Sequence, residues 1–169
     1  MKRVLIVMAA TLGVMAVPAS ADTGQWSLSG SGLGTGAVAG DRIAVGAHSD
    51  VGGENVSGQT ENQFTLVSTR FNDAGDGVCL RIADHRAVIV YRFRTPVTVP
   101  ELPGEVFPYG AAYIEDNGPS VDGEPADRML DFAVREINIH FFCDADPATF
   151  FAAALAEPIS SGNFIVQGD

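Results

Sequence analysis

Apolar residues recur at every second position through most of this chain, the spacing at which alternate side chains of a strand share one face. Trp26, Leu28 and Leu33, set among small residues, predict a first strand near 25–31 and then a flexible turn or bulge. Ile43, Val45 and Ala47 predict a short second strand over 42–48. Residues 50–61 read as loop by composition, and 62–71 alternates again, with Phe64 and Leu66 opposite Thr65 and Val67. Asp73 to Gly77 carries turn residues. Runs at 78–83 and 87–95 predict a hairpin through Asp84-His85-Arg86. Pro96, Pro100, Pro103 and Pro108 exclude a central strand between them and predict an exposed connection or edge. Further strands are predicted at 109–115, 129–134, 136–143 and 162–167, and in the third of these Ile137, Ile139, Phe141 and Cys143 share a face.

One segment departs from the pattern. Asp146 can cap a helix, Pro147 suits its first position, and Ala148 to Ala156 is rich in Ala with Phe150, Phe151 and Leu155 before Pro158. A helix of about ten residues is not stable alone, so its aromatic face must dock on the core. Eight or nine short strands with Gly and Pro turns, and one short helix towards the C-terminus, predict an all-β fold, an antiparallel β-sandwich or a small barrel.

The first 21 residues read as an export signal: Lys2 and Arg3, an apolar stretch from Val4 to Val17, and Ala19-Ser20-Ala21 before a cleavage point at Asp22. Removing 21 residues from 169 leaves 148, enough for one domain over 22–169 and too few for two ordinary ones. The loss of two cations takes the net charge from −11 to −13. That charge argues against nucleic acid and anionic membranes as partners, and no later stretch is long and apolar enough to span a bilayer. The expected location is therefore secreted, extracellular or periplasmic. In such a compartment the only two cysteines, Cys79 and Cys143, most simply pair, closing a loop worth roughly 4 kcal/mol. Two cysteines and three dispersed histidines (His48, His85, His140) offer no zinc spacing.

The order of motifs also resembles a family of secreted bacterial β-domains common in actinobacteria. The pieces that carry it are Asp84-His85-Arg86-Ala87, Ile114-Glu115-Asp116-Asn117-Gly118 with Asp127 downstream, and Gly162-Asn163-Phe164-Ile165-Val166. The resemblance implies a β-fold and an exported protein; it brings no reaction and no active site. The proline-rich segment 96–108 and the helix expected at 147–156 depart from the family pattern.

Two constellations have the residue types of a binding site. The loop with Asp116, Asn117, Asp122, Glu124 and Asp127 is dense in oxygen donors of the kind calcium requires, but it lacks the D-x-D-x-D-G ladder. The plainer reading is a solvated turn in which Asp and Asn bond their own backbone. Arg81, Arg86, Arg92 and Arg94 fall on or beside one hairpin and could form a basic stripe for an anionic ligand, or pair internally with the many carboxylates. Catalysis finds less support. No G-x-S-x-G elbow is present, no histidine has a visible partner, and among 21 acidic residues some pair always lies close. A non-catalytic binding or structural β-domain at or outside the cell envelope, meeting an extracellular or envelope partner through the loops at 50–61, 96–108 and 116–127, is thus the expected function. The alternative is a small ligand-binding or lyase- or isomerase-like barrel with its ligand in the mouth.

Overall fold

The computed structural model describes residues 24–36, 39–66, 69–118 and 126–168; the expected export segment lies outside them. Eight antiparallel strands follow one another round a closed barrel: β1 (Gln25–Gly34), β2 (Arg42–Asp50), β3 (Ser57–Leu66), β4 (Thr69–Ala83), β5 (Arg86–Val97), β6 (Phe107–Glu115), β7 (Arg128–Val134) and β8 (Glu157–Gln167). Each strand pairs with the next, and β8 returns to β1 with Val166 opposite Leu28 and Phe164 opposite Gly30. Closure leaves no free edge, and it settles the choice between sandwich and barrel.

The period of two sorts side chains to the two faces. Leu28, Ile43, Val45, Phe64, Leu80, Ile89, Phe93, Ile114, Met129 and Phe164 fill the lumen. At one end the connection between β5 and β6 is a loop, as its prolines require, yet Val99 and Leu102 tuck into the barrel and plug it. The stretch 50–61 is loop only in part, since β3 begins at Ser57 and turns Thr60 fully inward.

Residues 73–77 do not form the expected turn but run inside β4. Glycine is needed at 75 because a Cβ there would come within 2.6 Å of the Tyr91 ring. A bulge between Gly77 and Cys79 then adds one residue and reverses the parity of the strand. Cys79 consequently faces outward while Leu80 and Ile82 face the lumen.

Outside β4 to β7 lies a flap, residues 135–156, that makes a second apolar layer with Val88, Val90, Tyr109, Ala111 and Tyr113. The strand expected at 136–143 is helical: a 3-10 turn at Glu136–Asn138 continues into α1 (Ile139–Cys143). An apolar run this short fits both periods, and the helical one, with Ile139, Phe142 and Cys143 towards the barrel, is the one that satisfies the packing. The ten-residue helix expected from Pro147 shrinks to a 3-10 turn at Phe151–Ala154. Asp146 does cap, its carboxylate accepting from the Ala148 amide at 3.0 Å and the Thr149 hydroxyl at 3.2 Å, but Phe150 is extended and ends that turn. The Cys79–Cys143 disulfide, with Cα atoms 5.7 Å apart, ties the flap to the bulge.

The barrel has one thin seam. Among the described residues β7 and β8 pair only through Arg128 with Pro158 and Met129 with Glu157, because β7 starts at Arg128 and Ala126 and Asp127 before it are loop.

Candidate functional site

Tyr91 lies along the inner wall with its ring against Gly75 on β4 and Gly110 on β6, where a Cβ would stand 2.3 Å from the ring. Its hydroxyl donates to Asp131 Oδ1 at 2.7 Å, and that oxygen also accepts the Phe132 amide at 2.9 Å. Asp131 is half-buried and Tyr91 fully so. Burial pushes the Asp131 carboxyl up to about 7, against the Tyr91 and Phe132 hydrogen bonds that hold it down, and the nearby Asp41 carboxyl adds to the rise. Burial, and then the Asp131 charge, push the Tyr91 phenol well above its ordinary value. Asp41 accepts the Thr65 amide at 2.9 Å and is itself raised by burial, against that bond and Arg70. On the adjoining wall, the buried Asn62 donates to Thr60 Oγ1 at 2.8 Å and its Oδ1 has no partner.

This arrangement has a consequence in pH. The unfolded Asp131 has its ordinary value of 3.8, so between about pH 4 and pH 7 the folded carboxyl holds a proton that the unfolded one has lost. Stability from this group is therefore greatest below pH 4 and falls as pH rises to 7. A rise from 3.8 to about 7 corresponds to about 4 kcal/mol, and the partial exposure of Asp131 reduces it to roughly 2. Asp131→Asn should flatten the dependence, gaining about 2 kcal/mol on wild type at pH 8 and little at pH 4 in urea titrations. Equal pH profiles for the two proteins contradict this account.

The four arginines expected to form an anion stripe have internal partners. Arg81 Nε donates to the Cys143 carbonyl, and Arg86 Nη1 to the Ala148 carbonyl at 3.4 Å. Arg92 donates to the Tyr109 hydroxyl at 3.0 Å with its guanidinium over that ring, and Arg94 lies 3.9 Å from Asp76. Register also sets Glu115 between Arg86 and Arg128, at 3.8 and 3.4 Å, with His85 at 3.6 Å and the Tyr113 hydroxyl at 3.3 Å. Burial, and then the Glu115 charge, raise the Tyr113 phenol to about 12. Arg128 reaches the Ala156 carbonyl at 2.6 Å. Three guanidiniums thus hold three flap carbonyls, on Cys143, Ala148 and Ala156, and of the four stripe arginines Arg86 and Arg94 lie near a carboxylate, Glu115 and Asp76.

In the acidic loop, Asp122 and Glu124 lie outside the described residues. Asp116 Oδ1 accepts the Gly118 amide at 2.8 Å and Oδ2 the Val166 amide at 2.9 Å. Asp127, fully buried, accepts the Asn117 amide at 2.9 Å and the Phe164 amide at 2.7 Å, while the Asn117 side chain donates to the Ala126 carbonyl. These oxygens are engaged by backbone, and no group of three His, Cys, Asp or Glu suited to a metal occurs among the described residues.

Sequence reasoning missed Asp131 and Glu115. Asp131 occupies an inward position between Met129 and Ala133, but both faces of β7 are apolar because the flap covers the outer one, which hid the polar exception. Glu115 gains its partners only through register. No helix among the described residues is long and apolar enough to cross a membrane. No protein-family model, no curated protein and no solved structure matches the chain.

Proposed function

We propose that this is a non-catalytic binding domain exported to the envelope or the medium, and that it presents the flap to a protein partner. The observation that carries the reading is that four of the nine large apolar side chains exposed among the described residues fall in one short segment, the others being Leu33, Val51, Val78, Val106 and Ile165. Ile137 (84% exposed), Phe141 (59%), Phe151 (47%) and Leu155 (55%) all belong to the flap, and the Phe141 and Phe151 rings lie 6.0 Å apart. A contiguous apolar patch on a soluble domain marks an interaction site. Its rim is acidic, with Glu136, Asp144 and Asp146 exposed and the neighbouring Arg135 taken up by Glu105 at 2.8 Å. An apolar centre within a charged rim is the anatomy of a protein interface, and this rim suits a basic partner with an apolar centre.

The disulfide and the three arginine–carbonyl contacts support the same reading, since they fix the flap in place before any partner arrives. A photoreactive benzoylphenylalanine placed at position 141 should give a discrete adduct with a basic protein of the source organism. Placed at position 59, on the exposed face of β3, it should not. The adduct should disappear on Phe151→Ser. Adducts alike at both positions, or none at 141, overturn the proposal.

A further inference from the structure

The barrel wall away from the flap carries hollows that the flap does not use. Register sets Ser161 on β8, Leu33 on β1, Arg42 on β2, Gln63 on β3 and Asn72 on β4 in one row across five strands. The row alternates with lumen residues such as Ile43 and Phe64, so it faces out. The next row sets Ser31, Ala44 and Ala74 beside Glu61, a floor of small side chains. Hollows open along these rows, of about 300 Å³ at Leu33 and Ser161, 220 Å³ at Arg42, and 390 Å³ at Ala44 and Gly46. A fourth, of about 370 Å³, lies beside Phe71 where β4 and β5 part. Neighbouring hollows share residues: Arg42 and Gln63 line the first two, Ala44 and Glu61 the second and third, and Asn72 the second and fourth. They therefore adjoin in one trough that runs across the strands.

Arg42 stands in the middle of this trough, and among the described residues it is the one arginine without a partner. Arg70 is held by the Gly40 carbonyl, Arg94 by Asp76 and Arg135 by Glu105, and the other four by the contacts given above. On a chain with a net charge of −11, carboxylates to claim it are plentiful, yet none does. The side chains of Gln63 and Asn72 likewise make no hydrogen bond to the described residues. Arg42 and Glu61 bring one charge of each sign, so these two rows are neutral as a whole. What the trough offers is a guanidinium, amides and hydroxyls, free to bond a ligand, over small side chains.

That inventory matches an uncharged ligand dense in hydroxyl groups, each both donor and acceptor. A protein segment fits it poorly. The closed barrel has no free edge for a strand to join, and the two rows hold one large apolar side chain, Leu33. Strands lie roughly 4.8 Å apart, close to the advance per sugar of an equatorially linked pyranose chain. We propose that the trough binds an extended, neutral, equatorially linked polysaccharide laid across β8, β1, β2, β3 and β4, at about one sugar per strand. Arg42, Gln63 and Asn72 donate to its oxygens, and Glu61 accepts from its hydroxyls. The half-buried Phe71 takes the C–H face of the sugar at the β4–β5 end. The flap packs on β4 to β7, so the two surfaces are filled independently and this site stands whether or not the flap binds a protein.

The test adds cellohexaose or N-acetylchitohexaose, separately, to the purified protein and follows the backbone amides by NMR. Shifts are expected at 31–33, 42–46, 59–63 and 72, and none at 136–156. Binding of cellohexaose assigns the trough to a chain of bare hydroxyls, and binding of N-acetylchitohexaose alone assigns it to an acetamido-bearing one. Affinity should fall about tenfold or more from the hexaose to its biose, which reaches two strands rather than five. Maltohexaose, whose linkage coils the chain, should not bind. Arg42→Ala with Gln63→Ala should weaken binding about tenfold without moving the melting midpoint, and Ala44→Trp, which fills the floor, should abolish it. The comparison of chain lengths needs no variant, so a substitution that fails to fold does not disable the test. No shifts with either hexaose up to about 10 mM, a biose bound as tightly as the hexaose, or shifts confined to other surfaces overturns the proposal. Equal binding of maltohexaose, or a discrete protein adduct from a photoreactive residue at position 44, also overturns it.

Discussion

Replacing both cysteines, Cys79→Ser with Cys143→Ser, should lower stability by about 4 kcal/mol and the melting midpoint by roughly 10–15 °C, because the bridge closes a loop of 64 residues. The loss should also be uneven. The flap is joined to the barrel by the bridge, by the three guanidiniums and by the packing of Phe142, Phe150 and Ala152 on β4 to β7. β2 and β3 carry none of these groups. Hydrogen exchange in the variant should therefore quicken first at 136–156, with the amides of β2 and β3 exchanging only by global unfolding. A uniform loss of protection places the whole effect in the unfolded chain. Intact protection at the flap shows that the arginines and rings hold it without the bridge.

The legible part of this fold is the part governed by a period of two. The hairpin of β4 and β5, the strands near 42–48, 109–115 and 129–134, and the closing run at 162–167 all lie where alternation places them. The sequence pattern fails where a residue serves a neighbour rather than its own strand. Gly75 and Gly77 read as a turn because glycine favours turns, but Gly75 is glycine to make room for the Tyr91 ring from the next strand. The alternation at 137–143 is equally a helix, and only the barrel wall beneath it selects Phe142 over Phe141 as the buried ring. Arg81, Arg86, Arg92 and Arg94 were recognisable as a set, but the carbonyls that Arg81 and Arg86 hold lie 62 residues away. The same holds for Asp131 and Tyr91, 40 residues apart and joined only when the barrel closes.

Asp127→Ala should cost about 3–5 kcal/mol, and the reason lies in the seam. The β7–β8 ladder is Arg128 with Pro158 and Met129 with Glu157, and the amides of β8 beyond it take other acceptors. Two carboxylates and one main-chain carbonyl supply the acceptors. Asp127 Oδ2 takes the Phe164 amide, Asp116 Oδ2 the Val166 amide, and the Asp127 carbonyl the Ile159 amide. Each charge-assisted bond is worth about 1.5–3 kcal/mol, and Asp127 carries two from its carboxylate, including the one to Asn117. Asp127→Asn should also destabilise, by about 2–3 kcal/mol, because an amide nitrogen then faces a backbone donor. Asp116, more exposed and with one bond local to Gly118, should cost only about 1–2 kcal/mol when changed to Ala. These differences should be the same in EDTA and in millimolar calcium if the carboxylates close the barrel. Should calcium stabilise the wild type and not Asp127→Ala, the loop serves an ion rather than the seam. Exchange at Phe164 and Val166 separates the two independently. A seam contact exposes those two amides on mutation whether or not calcium is present, whereas an ion site exposes them only when calcium is withdrawn.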